Sequence, residues 1–158
     1  MKYSQQITLK NGSIAVMRNG VEADGSAVLV NFNQTHEETD YLLSYPDENS
    51  FDAEQEGQFL AHKAASTNEI EIIAFVDGKA AGTAGIDAVG TKYKVSHRAE
   101  FGISVLKEYW GLGIGRALTE ACIKCAKLAG YAQLELTVVA ENVRAIALYQ
   151  KEGFVEYG

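Results

Sequence analysis

A single proline among 158 residues argues against a disordered or linker-rich protein. No apolar run approaches the roughly 20 residues needed to cross a bilayer. The first six residues, Met1-Lys2-Tyr3-Ser4-Gln5-Gln6, lack the apolar stretch of a signal peptide, so a cytoplasmic location is expected. Cysteine is nearly absent. Cys122 and Cys125 form a lone C-x-x-C, whereas a metal site would want a second pair or nearby histidines, and His36, His62 and His97 are scattered. No metal is expected. Both cysteines continue an apolar face with Ile114, Leu118 and Ala121 at helical spacing, which reads as core packing, with redox or metal chemistry as the alternative. Basic residues are missing from one long stretch. Between Arg18 and Lys63 stand ten acids (Glu22, Asp24, Glu37, Glu38, Asp40, Asp47, Glu48, Asp52, Glu54 and Glu56) and no Lys or Arg. With a net charge of −7 this excludes nucleic acid as a partner, because phosphate backbones need clustered cations. The stretch is either a solvated acidic face or a surface that draws in a cationic acceptor such as an amine.

What is present suits one soluble domain. The hydrophobic fraction is 47% and the charged fraction 22%, and no internal repeat divides the chain. Residues 7–9 and 13–18 read as strands around the turn signal Asn11-Gly12. Residues 22–34 are weakly helical, and Ser50 or Asp52 can cap a helix running to about Ala65. The β-branched run 70–76, the turn Asp77-Gly78, the stretch 80–89 and the stretch 95–105 predict an antiparallel meander. A glycine-rich turn then opens a helix over about 113–129, stopped by Gly130. Residues 133–139 alternate as a strand, Asn142 can cap a helix over 143–152, and Phe154 opens a last strand. The C-terminal order is thus β-α-β-α-β on an antiparallel meander, an α+β fold with a mixed, largely antiparallel sheet flanked by helices.

The chemistry sits in Tyr109-Trp110-Gly111-Leu112-Gly113-Ile114-Gly115-Arg116-Ala117-Leu118. Three glycines at alternate positions let the backbone bend and approach a ligand without Cβ interference. They lie at a helix N-terminus, where unpaired N–H groups and the positive dipole end favour phosphate. Arg116 in the first turn can add a charge-assisted contact. The alternative is a tight connection with no ligand. A P-loop is absent. The dinucleotide pattern G-x-G-x-x-G is nearly met, and Glu135 could pass for its ribose-binding acid. However, Arg116 stands where the third glycine belongs, and five or six residues separate the strand end at Val105 from Gly111.

Here the sequence resembles the GNAT family of N-acetyltransferases. Residues 101–129 look like its motif A, a strand, a short bend and the Q/R-x-x-G-x-G/A pyrophosphate loop. Residues 142–154 look like motif B, with the spacing N-x-x-A-x-x-x-Y-x-x-x-G-F. The resemblance covers 69–154, and more loosely the two helices before it. It implies acetyl-CoA as co-substrate and a single domain, with acceptor-side helices over about 22–66 and a cofactor-binding core over about 69–158. The backbone of Ile103, Ser104 and Val105 would run beside the pantetheine arm. The N–H groups around Gly111, Gly113, Ile114, Gly115 and Arg116 would hold the pyrophosphate, and Asn142 would bond the pantetheine or its strand. Tyr149 would sit near the thioester sulfur as the acid, and an N–H near Val105 would stabilise the oxyanion. Tyr149 as a core aromatic and Asn142 as a plain N-cap are the bland alternatives. Glu100 is the first candidate base, directly or through water. Glu135 and His97 come after it, and a water chain without a single base is the remaining option.

Two departures from the family pattern stand out. Trp110 occupies the place usually held by Arg or Gln, which removes one polar phosphate contact or replaces it by packing. Gly158 ends the sequence four residues past Phe154, where relatives continue through a last strand; an exposed sheet edge there would invite a homodimer. The expected activity is transfer of an acetyl group to a primary amine of a small molecule or a peptide N-terminus, by direct attack in a ternary complex. The alternatives are a catalytically impaired acyl-CoA-binding module and, further off, a nicotinamide-dependent oxidoreductase.

Overall fold

Two tight hairpins set the frame of the sheet. Asn11 accepts a hydrogen bond from the Ser13 amide at 3.0 Å and Gly12 has φ +86°, which turns β1 (Ser4–Thr8) back into β2 (Ile14–Asn19). Asp77 and Gly78 both have positive φ, 50° and 78°, and join β3 (Ile70–Val76) to β4 (Lys79–Ala88). This is the primed-turn geometry whose twist matches its strands. The structure, a computed structural model, describes residues 1–38, 52–90, 97–138 and 140–157. Ser50, most of the segment between the first two helices, and the first residues of the expected strand 95–105 lie outside them.

The sheet has six strands in sequence order, completed by β5 (Arg98–Val105) and β6 (Gln133–Glu135). All neighbours are antiparallel except β5 and β6, which run parallel. The strand read over 133–139 is therefore shorter than expected, and 154–157 form no strand.

Alternation along β3 sorts the two faces. Ile70, Ile72, Ala74 and Val76 join Ile86 and Phe101 in a core covered by α3 (Ile114–Leu128). Ile73 and Phe75 face the other way, toward Leu60 and Val28 of the helix pair α1 (Gly25–Glu38) and α2 (Ala53–Ala65). Each fully buried isoleucine contributes about 1.5–3 kcal/mol. A bulge between Ala74 and Phe75 leaves Ala81 without an opposite number, so Ala80 turns toward α1 and α2 while Ala81 enters the α3 core.

On α3 the buried stripe is Ile114, Leu118, Ala121, Cys122, Cys125 and Ala126, the apolar face read from the sequence. Both cysteines are buried and free, and burial pushes their thiols up, away from the reactive thiolate. Asp52 caps α2 by accepting from the Gln55 amide at 2.8 Å. The helices α1 and α2 cross without a gap. A Cβ on Gly25 would lie 2.2 Å from the Ala53 carbonyl oxygen, and one on Gly57 would lie 2.7 Å from that of Glu22. The chain ends its regular structure with α4 (Val143–Lys151). Among the described residues no helix is long and apolar enough to cross a membrane.

Candidate active site

Parallel pairing between β5 and β6 spans only Arg98–Gln133, Ala99–Leu134 and Glu100–Glu135. Beyond that point the strands part. β5 continues against β4 as far as Val105, and Leu136, Thr137 and Val138 leave the ladder. A cleft of about 380 Å³ opens at the split, lined by Glu100, Ile103, Ser104, Thr137, Asn142 and Tyr149 among others. Glu71, Thr83, Gly85 and Asp87 close it on the α1/α2 side. A half-paired strand facing a cleft presents main-chain donors and acceptors to an extended, amide-bearing ligand.

Tyr149 is positioned by two other rings. Its ring meets Phe101 edge-on at 6.1 Å and Phe154 at 6.0 Å, and Phe101 stacks on Phe154 at 6.2 Å. Phe154 is tied to the end of α4 through its amide, which donates to the Tyr149 carbonyl at 2.9 Å. The Tyr149 hydroxyl makes no hydrogen bond among the described residues, and burial pushes its pKa up to about 12. The phenol is thus protonated at neutral pH and free to donate into the cleft. Asn142 caps α4 by accepting from the Ala145 amide at 3.3 Å, and it also lines the cleft, so the capping and ligand-binding roles are sterically compatible.

Glu100 is exposed and stands in register between Asp87 on β4 and Glu135 on β6. Glu135 is engaged. Arg98 holds its two oxygens at 2.7 and 2.6 Å and keeps its carboxyl below the usual range, which makes it a weaker base. His97 is outside the cleft, where its carbonyl accepts from the Ala132 and Gln133 amides.

On the α1/α2 side of the cleft, Lys63 of α2 is 2% exposed and reaches Glu71 at 3.1 Å and Asp87 at 2.9 Å. Burial works against its charge, but the two carboxylates outweigh it and leave the ammonium's pKa above its ordinary value. Lys63 thereby fixes two of the acids that face the cleft. A Cβ on Gly85 would lie 2.1 Å from the Glu71 Oε2, so only glycine leaves room for that carboxylate. Buried Asn31 donates to the Ala80 carbonyl at 3.0 Å and lies 3.5 Å from the Ser104 hydroxyl, anchoring α1 beside the cleft. None of Asn31, Lys63, Glu71, Thr83 or Asp87 was legible as a site residue; the period-two run Thr83, Gly85, Asp87 was the available signal.

The glycine turn lies beyond the end of the cleft, so Val105, Gly111, Gly113, Ile114, Gly115 and Arg116 are not among the residues that line it. Gly111 and Gly113 have φ +77° and +102°, conformations that favour glycine. Gly113 caps α3 with no side-chain hydrogen bond, and Ala117 is the residue whose amide returns to it, at 3.1 Å. The N–H groups of the first turn are thus left to a ligand or solvent. Arg116 lies in the first turn of α3, and its exposed side chain is engaged within the chain. It pairs with Glu120 at 3.0 Å and Glu152 at 3.4 Å, so its charge is compensated within the chain. Trp110 packs against the end of β5, its indole N–H donating to the Val105 carbonyl at 2.8 Å.

This arrangement has relatives. L-amino acid N-acetyltransferase AaaT of Escherichia coli K12 is 35% identical over 85 residues, 53% of this chain and 52% of that one. The chain spans about half the length, or less, of the curated relatives it matches. Among solved structures, an acetyltransferase of the GNAT family from Streptococcus pneumoniae superposes with a TM-score of 0.86 at 34% identity, covering 91% of this chain and 86% of that one. A ribosomal-protein-alanine N-acetyltransferase from Brucella melitensis gives 0.79 at 27%, covering 90% and 85%. The acetyltransferase (GNAT) family matches residues 30–154, which takes in most of α1, the split strands, the glycine turn and α4. With four-fifths of its length inside that match, the chain belongs to the GNAT family of acetyltransferases.

Proposed function

We propose that this chain transfers the acetyl group of acetyl-CoA to a primary amine, that of an amino acid, another small molecule or a peptide N-terminus, by direct attack in a ternary complex. The observation that carries the reading is the split between β5 and β6, with the hydroxyl of Tyr149 and the carboxylate of Glu100 on the same cleft. The unpaired side of 103–105 binds the pantetheine arm, Asn142 adds a polar contact, and the first turn of α3 holds the pyrophosphate. Glu100 accepts a proton from the incoming ammonium, directly or through a water. The amine nitrogen then bonds to the thioester carbon, an N–H near Val105 supports the oxyanion, and the C–S bond breaks. Tyr149 stabilises the leaving thiolate by hydrogen bond and proton donation, and the proton lost from nitrogen replaces its own. Family membership supports the donor, and two relatives named for amino-acid and protein-alanine acetylation support the acceptor class. Glu71, Asp87 and Glu100, with Lys63 as the cation paired to the first two among the described residues, favour an acceptor that arrives as a cation.

The test is calorimetric titration with acetyl-CoA, with NADH as control, followed by a panel of amino acids, polyamines and peptides read by thiol release. Micromolar acetyl-CoA binding and acceptor-dependent thiol release are expected. Binding without release from any amine would make the chain an acyl-CoA-binding module. Binding of NADH alone would overturn the reading.

A further inference from the structure

The phosphate end of the donor site has a cation that motif comparison does not supply. Trp110 stands where an Arg or Gln is expected, and Arg116 is compensated by Glu120 and Glu152. The glycine turn would then meet a pyrophosphate with main-chain dipoles alone. A third arginine fills the gap. Arg144, in the first turn of α4, lies with its guanidinium carbon 5.4 Å from the centre of the Trp110 ring. One of its terminal nitrogens is 3.6 Å from the point where a Cβ on Gly111 would stand. One turn further along α4, Leu148 reaches 3.7 Å from the equivalent point on Gly115. This face of α4 therefore meets the glycine turn directly, with Leu148 as the apolar contact and Arg144 at the rim.

Arg144 is exposed and makes no ion pair among the described residues. Its position is electrostatically unrewarded within α4, since a cation in the first turn opposes the helix dipole. Its geometry is nevertheless defined. The Val105 carbonyl holds the indole N–H of Trp110, and the indole face holds the guanidinium. Trp110 thus acts as a platform that delivers to Gly111, from another helix, the charge its own position lacks.

We infer that Arg144 is a donor-binding residue whose guanidinium engages the pyrophosphate of acetyl-CoA, with Trp110 as its positioning residue. This rests on the acetyl-CoA reading above. A planar fork of N–H donors suits adjacent phosphate oxygens, and it leaves the main-chain N–H groups of the α3 terminus to the remaining oxygens.

The experiment measures binding of acetyl-CoA, 3′-dephospho-acetyl-CoA and S-acetylpantetheine to the wild type and to Arg144→Gln, Arg144→Lys and Trp110→Leu. Arg144→Gln should weaken both nucleotide-bearing donors by about tenfold to a hundredfold, as for a lost charged hydrogen bond. It should leave S-acetylpantetheine unchanged and flatten the salt dependence of acetyl-CoA binding. Arg144→Lys should recover part of the loss, and Trp110→Leu should fall between Arg144→Gln and wild type. Equal binding of acetyl-CoA by Arg144→Gln and wild type would overturn the inference, as would an equal loss with S-acetylpantetheine. A loss confined to acetyl-CoA and absent with the dephospho form would move the contact to the 3′-phosphate and overturn the pyrophosphate assignment. Failure of the wild type to bind any of the three would instead remove the donor reading itself.

Discussion

A phenol serves a departing thiolate only if it still holds its proton when the C–S bond stretches. Tyr149 meets that condition because Phe101 and Phe154 wall its ring, and burial raises its pKa to about 12 while no described residue bonds its hydroxyl. The same raised value makes it a weak acid, so in the proposed reaction its contribution would be mainly the hydrogen bond to developing negative charge. Tyr149→Phe should therefore lower turnover by about a hundredfold. The affinity for acetyl-CoA should stay within about twofold, because a phenyl ring keeps the three-ring packing. The pH profile supplies a second check. A group whose pKa is raised keeps its proton until pH approaches the raised value, so Tyr149 imposes no alkaline loss of activity below about 12. An alkaline limb near pH 9 that disappears in Tyr149→Phe would contradict this role.

At the scale of elements, two helices begin on the same device but differ in what else the cap touches. Asp52 accepts from Gln55 at 2.8 Å on an exposed helix start, and Asn142 accepts from Ala145 at 3.3 Å at the edge of the cleft. Asp52→Ala should cost about 1 kcal/mol, a fall of a few degrees in Tm, without changing donor affinity. Asn142→Ala should cost a similar amount and weaken acetyl-CoA binding as well. Asn142→Ser separates the two functions, because serine restores the cap but not the amide. Recovery of Tm without recovery of affinity is expected, and recovery of both would reduce Asn142 to a cap. Caps and turns were the most legible features of the sequence, since Asn11-Gly12, Asp77-Gly78 and Asp52 act through their own neighbours. Strand lengths were less so. Residues 133–139 have the alternation of a strand, yet only 133–135 pair, because a ladder requires a partner and β5 diverges after Glu100. Phe154 likewise reads as the start of a strand, but its ring belongs to the Tyr149 cluster, and 154–157 pair with nothing described. At the site, motif spacing singled out Tyr149 and Asn142, which line the cleft, and the glycine turn, which lies outside its lining. It could not show that Arg116 is compensated or that Arg144 reaches Gly111, since both depend on how α3 and α4 meet.

Across the whole molecule the charge is −7, and the ten acids read between Arg18 and Lys63 are not one uniform surface. Asp24 is 11% exposed and paired with Arg18, Glu56 is buried, and Asp52 serves as a cap. Two of the ion pairs fasten well-separated strands of the sheet to their neighbours. Arg18 reaches both oxygens of Asp24 at 2.7 and 2.9 Å and ties the start of the helix pair to β2, while Arg98 and Glu135 tie β6 to β5 just before the strands split. Each arginine holds its carboxyl below the ordinary range, and the Val21 amide adds a further donor to Asp24. A depressed carboxyl contributes stability above its unfolded-state pKa of about 4 and loses it as pH falls through the folded value. In urea titrations, Asp24→Asn should therefore be less stable than wild type at pH 7, and the gap should close as pH falls through the depressed folded-state pKa of Asp24. Glu135→Gln should show the same sign, since its carboxyl is depressed by the same kind of two-oxygen arginine pair. Only Glu135→Gln should also weaken acetyl-CoA binding, because it loosens the strand pair from which the cleft opens. A gap for Asp24→Asn that persists unchanged below the folded-state pKa of Asp24 would assign its effect to packing rather than charge, and undisturbed donor binding in Glu135→Gln would show that the split in the sheet holds its shape without the Arg98 pair.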